Sequence, residues 1–147
     1  MMASIKSKNT FLEIAIRKRL HAKGLRYRLH LKGLPGRPDI VFPKFKAVVF
    51  INGCFWHQHG CYLSVMPKTR SDWWKRKLTG NQKRDLLNYE LLRAQGWRIA
   101  IVWECSVKGL RKVKKEKKLD EIANKLMSFL LSGRKYISLG HKRIPVG

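Results

Sequence analysis

Asp39-Ile-Val-Phe-Pro-Lys-Phe-Lys-Ala-Val-Val-Phe-Ile-Asn52 is the stretch whose pattern decides the fold. Residues 39–42 and 46–52 are nearly continuous apolar runs joined at Pro43-Lys44, which reads as two strands of a hairpin. Apolar side chains at consecutive positions point to opposite faces of a strand, so both faces of this sheet must be covered. Helices are therefore expected on either side. Upstream, Gly33-Leu-Pro-Gly-Arg-Pro38 forces a turn, and residues 27–31 read as a short strand before it. Thr10-Phe-Leu-Glu13 is a capping box, with Thr10 as N-cap and Glu13 reaching back, and Leu12, Ile16 and Leu20 recur at helical spacing until Gly24. Downstream, a loop crowded with Cys, His and aromatic residues runs from Gly53 to about residue 69. Ser71 is then expected to cap a short helix through Leu78, and Asn81 a longer one that ends at Gly96. Residues 97–103 form a central strand and residues 108–118 a solvated basic linker. Residues 119–132 make a last amphipathic helix, striped by Leu119, Ile122, Ala123, Leu126, Phe129 and Leu130. The expected order is α-β-β-β-α-α-β-α: an α/β protein around a mixed sheet, in one domain over residues 1–147.

Composition narrows the function. With 147 residues, 44% apolar and 10% aromatic, the chain can bury a core without disulfides and is not a disordered tail. No apolar run approaches the roughly 20 residues of a membrane helix, and the polar, basic first ten residues do not read as a secretory signal. A soluble, cytoplasmic protein is expected. Thirty-three Lys and Arg face nine Asp and Glu, a formal net charge of +24. Solubility needs a net charge of only about 2–8, so an excess of this size points to a polyanion. Nucleic acid is favoured over an anionic membrane, because no strongly basic amphipathic helix dominates. Scarcity makes the acids informative: a carboxylate kept beside a nucleic acid implies a metal or a base partner.

Cys54-x4-His59-x-Cys61 puts three soft or borderline ligands in one loop, and Cys105, just past a predicted strand, could supply a fourth. A Cys3His set suits closed tetrahedral zinc. The same residues could instead be three unrelated, buried cysteines; a disulfide fits less well with an odd count. Asp39 opens a strand amid Lys and Arg, where it could hold Mg²⁺ against a phosphodiester or simply close a turn after Pro38. His57 is not needed by the zinc set. Asp85, in the first turns of the Asn81 helix, could orient it as a general base; otherwise it is an acid favoured near a helix N-terminus.

These stretches resemble the very short patch repair (Vsr) DNA mismatch endonucleases. The resemblance rests on Lys6-Ser-Lys-Asn-Thr10 with Glu13, Leu34-Pro-Gly-Arg-Pro-Asp39, and Gly53-Cys-Phe-Trp-His57 with His59 and Cys61. Pro67-Lys-Thr-Arg70, Asn81 with Arg84-Asp85, and Gly96-Trp-Arg98 running into Val102-Trp-Glu-Cys105 complete it, as far as Gly109. It implies a restriction-endonuclease-like fold with a structural zinc site, and nicking of one strand of duplex DNA 5′ to the T of a T·G mismatch. Such mismatches arise when 5-methylcytosine deaminates. The resemblance makes Asp39 and the carbonyl of Ile51 the Mg²⁺ ligands, His57 the general base with Asp85 as partner, and Glu13 a holder of water at the metal. Cys54, His59, Cys61 and Cys105 become the zinc ligands. Phe55 and Trp56 become a wedge at the mismatch supported by Trp74, with Met2 in an N-terminal arm (residues 1–9) wedging from the opposite groove. Lys77 and Asn81 fall where the family contacts the mispaired bases. The implied partner is mismatched double-stranded DNA at the nucleoid, met by a monomer, with mismatch-repair proteins as further partners. One departure stands out: the family's His before Gly-Cys-Phe-Trp-His is Asn52 here. Asn can donate a hydrogen bond but cannot shuttle a proton. The rival expectations are a mismatch-binding protein that cuts weakly, and a zinc-containing RNA-binding protein.

Overall fold

Residues 39–52 form the hairpin at the heart of a five-stranded mixed sheet, in a computed structural model that describes residues 10–141. Met2 and the rest of the N-terminal arm lie outside the described residues. In chain order the elements are α1 (Phe11–Ala22), β1 (Arg28–Leu29), β2 (Ile40–Phe42), β3 (Ala47–Asn52), α2 (Ser71–Ala94), β4 (Arg98–Trp103), α3 (Lys112–Leu131) and β5 (Tyr136–Leu139). The strands lie side by side as β1-β2-β3-β4-β5. β1/β2 and β2/β3 are antiparallel, whereas β3/β4 and β4/β5 are parallel. No described helix is long and apolar enough to cross a membrane.

The two-faced pattern of the hairpin is used as expected. Ile40, Phe42, Ala47, Val49, Ala100 and Val102 face Leu12, Ile16 and Leu20 of α1 and the apolar stripe of α3. Val41, Val48, Phe50, Ile99, Ile101 and Trp103 face the other way, onto Leu92 of α2 and the three cysteines. Fully burying each such aliphatic or aromatic side chain contributes roughly 1.5–3 kcal/mol, so the two cores fix the register of the central strands.

Three elements depart from the sequence reading. The two helices expected on either side of Leu78 and Asn81 are one helix of 24 residues, begun at Arg70 in a left-handed conformation (φ 55°) rather than capped by Ser71. Gly80 sits inside it, at an expected cost of about 1 kcal/mol relative to Ala. The Asn81 and Gln82 amides donate to the carbonyls of Trp56 and Gln58 (3.2 and 3.1 Å), so the residue read as a cap ties the helix to the cysteine-rich loop instead. α3 begins at Lys112, earlier than residue 119: Lys and Glu are good helix formers, and Glu116 and Asp120 both pair with Arg19 of α1. β5 was not anticipated at all. It adds to the edge of the sheet through the Ile99↔Tyr136 to Val102↔Leu139 register, with Ile137 its one buried residue.

Arg98 links these pieces. Its guanidinium donates to the carbonyls of Phe129, Leu130 and Ser132 at the end of α3 and to that of Phe45 beyond β2. The last turn of a helix leaves its carbonyls without intrahelical donors, and one arginine on β4 serves several of them.

Candidate active site and metal clusters

The mouth of the hairpin opens into a cleft of about 750 Å³ lined by residues of β3, α2, the turn before β2 and the loop after Gly53. Asp39 stands at its floor. Its Oδ2 accepts the Ile51 N–H at 2.7 Å, and its own N–H donates to the Val49 carbonyl at 3.0 Å, so both backbone and side chain are fixed by β3. Burial lifts the Asp39 carboxyl from its usual 3.8 to about 7, with the Ile51 N–H pulling it down and the neighbouring Glu13 carboxylate pushing it further up. A carboxylate destabilised in this way is suited to a cation.

Glu13 is almost wholly buried at the start of α1, where its N–H donates to Thr10 Oγ1 (3.2 Å). Its carboxylate meets Arg17 (3.1 Å) and His30 Nε2 (3.1 Å). The His30 Nδ1 in turn lies 3.9 Å from Asp39 Oδ1. Sequence reasoning missed His30. The signal was available in principle: β1 pairs Arg28 with Val41 and Leu29 with Ile40, and the His30 N–H to Asp39 carbonyl bond (3.1 Å) continues that ladder.

Across the cleft, His57 Nδ1 lies 2.6 Å from Asp85 Oδ2. Asp85 comes from the middle of the continuous α2 and not from the first turns of a helix, so the helix-terminus explanation for it is withdrawn. The pairing leaves His57 Nε2 as the ring nitrogen for a reacting group. Asn52 is buried and donates to the Tyr89 hydroxyl at 3.3 Å; Tyr89, another residue that sequence reasoning passed over, packs edge-on against Phe50 and is pushed to a higher pKa by burial. The turn of residues 33–38 closes tightly on α2: a Cβ on Gly36 (φ 77°) would stand 3.2 Å from both Asn88 and Phe50.

At the rim, Phe55, Trp56 and Trp74 pack with centroid separations of 5.2–5.9 Å. Trp73 is edge-on to Trp74 and partly exposed at 40%, so the adjacent tryptophans are not a core pair. Lys77 is exposed on α2, two turns before Asp85.

Behind the loop lies a second cluster. The donor atoms of Cys54, His59, Cys61 and Cys105 all lie within 4.8 Å of one another, and all four residues are buried. Tetrahedral zinc with Zn–S bonds of about 2.3 Å holds its donors about 3.7 Å apart, a spacing this set can reach with small adjustments. The cysteines form no disulfide, and burial pushes the thiols of Cys54 and Cys105 up. The His59 ring stacks on Trp103 at 4.1 Å and 8°, and the Cys54 N–H donates to Glu104 Oε1 at 3.0 Å. The two residues just after β5 contribute here as well. The His141 N–H points at Cys105 Sγ (3.2 Å), and a Cβ on Gly140 would meet Trp103 at 2.8 Å and Cys105 Sγ at 3.1 Å.

Comparison with known proteins follows the same residues. The family described as DNA mismatch endonuclease Vsr matches residues 1–63. A type II nicking enzyme, V.XorIIP of Xanthomonas oryzae pv. oryzae, is 49% identical over 110 residues, 75% of this chain and 81% of that protein. The DNA mismatch endonuclease Vsr of Escherichia coli K12 is 40% identical over 115 residues, 78% of this chain and 74% of its own. The type II nicking enzyme V.NmeAIP of Neisseria meningitidis serogroup A is 44% identical over 109 residues, 74% of this chain and 78% of its own.

Proposed function

The chain belongs to the Vsr family and is a DNA mismatch endonuclease, and from that premise we propose that it nicks one strand of duplex DNA 5′ to the T of a T·G mispair. The lesion served would be the product of 5-methylcytosine deamination, and the catalytic unit a monomer with a restriction-endonuclease-like core and a DNA-contacting arm in residues 1–9. Mismatch-repair proteins are further partners of this reading. The observation that carries it is the juxtaposition, in one cleft, of the Ile51-anchored Asp39, the His57–Asp85 pair and the Phe55–Trp56–Trp74 wall.

Asp39 and the Ile51 carbonyl would hold Mg²⁺, which when bound acidifies water, offsets phosphate charge and stabilises the departing 3′ oxygen. Asp85 accepts the His57 Nδ1–H, which fixes the tautomer that leaves Nε2 with its lone pair toward the cleft. His57 Nε2 takes the proton of the attacking water as the bond from phosphorus to the 3′ oxygen breaks; the departing 3′ oxygen takes a proton from solvent water, leaving a 5′ phosphate and a 3′ hydroxyl. Glu13 orders water from the start of α1. Phe55 and Trp56, braced by Trp74, enter the base stack; unstacking a step costs a few kcal/mol and is cheapest at a mispair, so the wedge itself selects mismatches. Lys77 and Asn81 meet the mispaired bases, and Met2 wedges from the other groove. Zn²⁺ on Cys54, His59, Cys61 and Cys105 would be structural: four protein donors leave no open position.

The test is a nicking assay on end-labelled duplexes, T·G mismatched and matched, with Mg²⁺ and with EDTA. One Mg²⁺-dependent nick beside the mispaired T is the expected result. Retention of the mismatched duplex without a nick would favour the second reading, a mismatch binder disarmed at Asn52, whose side chain is engaged by Tyr89. Neither cutting nor preference would overturn both.

A further inference from the structure

Oxygen donors alone suit Mg²⁺, which requires near-octahedral geometry and gives up its water reluctantly; imidazole suits first-row transition metals. The floor of the cleft carries an imidazole. Donor atoms of Glu13, His30 and Asp39 lie within 4.8 Å of one another, each from a different element, with Glu13 buried and the other two half-buried. Just past the end of β1, His30 is held there by its N–H on the Asp39 carbonyl (3.1 Å), at the cost of a left-handed backbone (φ 48°) that non-glycine residues seldom adopt. Its ring stands between two carboxylates, one of which the Ile51 N–H has already oriented.

We propose that Glu13, His30 and Asp39 form a mixed oxygen–nitrogen dication site, and that His30 makes it prefer a first-row transition dication such as Mn²⁺ over Mg²⁺. Glu13 is then a direct ligand and not only a holder of water. The inference rests on the reading of this cleft as a dication-dependent nuclease site, since Asp39 is common to both. Among the described residues the other imidazole reaching the cleft from the opposite wall, His57, has its Nδ1 committed to Asp85.

The probe is Mn²⁺ bound to the full chain without DNA, followed by pulsed electron paramagnetic resonance and by titration calorimetry with Mg²⁺ as competitor. The expected result is a nitrogen hyperfine coupling on bound Mn²⁺ that disappears in His30→Gln. That variant should lose at least about tenfold in Mn²⁺ affinity while Mg²⁺ affinity changes by less than about twofold. Bound Mn²⁺ with no nitrogen coupling in the unsubstituted protein, or equal loss of both cations in His30→Gln, would overturn the proposal and leave His30 as a hydrogen-bonded clasp between two acids. The wild-type spectrum needs no variant to fold. Nicking of the T·G duplex in Mg²⁺, measured on the same preparation, separates the two ideas: a nick without nitrogen coupling sinks only the His30 site, and coupling without a nick sinks only the nuclease reading.

Discussion

Two clusters of metal-capable side chains lie on either side of the loop after Gly53, and they are built in opposite ways. Cys54, His59, Cys61 and Cys105 are soft or borderline donors, all buried, mostly carried by a segment with little regular structure. Glu13, His30 and Asp39 are harder donors, the last two lining an open cleft and Glu13 buried behind them, carried by the start of α1 and by the β1–β2 pairing. On the reading proposed above, a metal would complete the first region, whereas the second is already fixed by α1 and the β1–β2 pairing. A closed donor set contributes to folding, whereas an open set on rigid elements is available for chemistry. His57 belongs to both regions, since it rides on the loop of the first and lines the cleft of the second.

The largest effect should come from the closed cluster. Chelation, or Cys54→Ser, is expected to lower stability by roughly 5 kcal/mol, part of the ~10–16 kcal/mol that structural zinc contributes in zinc-finger peptides. Thermal melts with parallel metal analysis check this; a zinc-free protein with an unchanged melt would break the contrast. Asp39→Ala should do the reverse, cutting the nicking rate by about 10³-fold or more, some 4 kcal/mol of barrier, while the protein stays folded and duplex affinity is equal or higher. Gel retardation beside single-turnover cutting separates those outcomes. Asp85→Asn probes the residue shared between regions: a loss of about 10²-fold in cutting is expected with little change in mismatch binding.

pH acts on stability rather than on cutting. The Asp39 carboxyl sits at about 7 in the folded chain against 3.8 as its ordinary value, so the folded state binds its proton more tightly. Stability of the cation-free protein should therefore be full below that ordinary value and fall as pH rises through the window to about 7. The fall should not exceed about 4 kcal/mol. Urea midpoints across this range should show the slope, and Asp39→Asn should abolish it. Smallest of all, Asn52→His should raise the nicking rate by up to about tenfold, as a proton carrier replaces a group that only donates a hydrogen bond. An unchanged rate would mean that the imidazoles already present suffice.

Much of this was legible before any coordinates. The unbroken apolar runs of residues 39–52 required two covered faces, and both faces are covered. The spacing of Cys54, His59 and Cys61, with Cys105 at a strand end, proposed a cluster that the fold does assemble. Asp39, His57, Asp85 and Asn52 were named, and they line one cleft. The failures share a cause. Thr79-Gly80-Asn81 looked like a helix break because the side chains of Asn81 and Gln82 find their acceptors in a loop more than twenty residues away. Residues 112–118 looked like a linker because the partner of their one acid, Glu116, is Arg19 on α1. β5 has one buried residue and therefore almost no hydrophobic signature of its own.

Short-range patterning and residue chemistry encode the hairpin, the apolar faces, the donor set of the cysteine cluster, and a surplus of positive charge that calls for a polyanion. Tertiary structure alone decided which distant groups meet. It set His30 opposite Asp39 through strand register, brought Gly140 and His141, just past β5, against Cys105, and gave Arg98 the end of α3 to hold. Hydrogen bonds and ion pairs act over a few ångströms in space while their partners stand tens of residues apart in the chain, so no local pattern announces them.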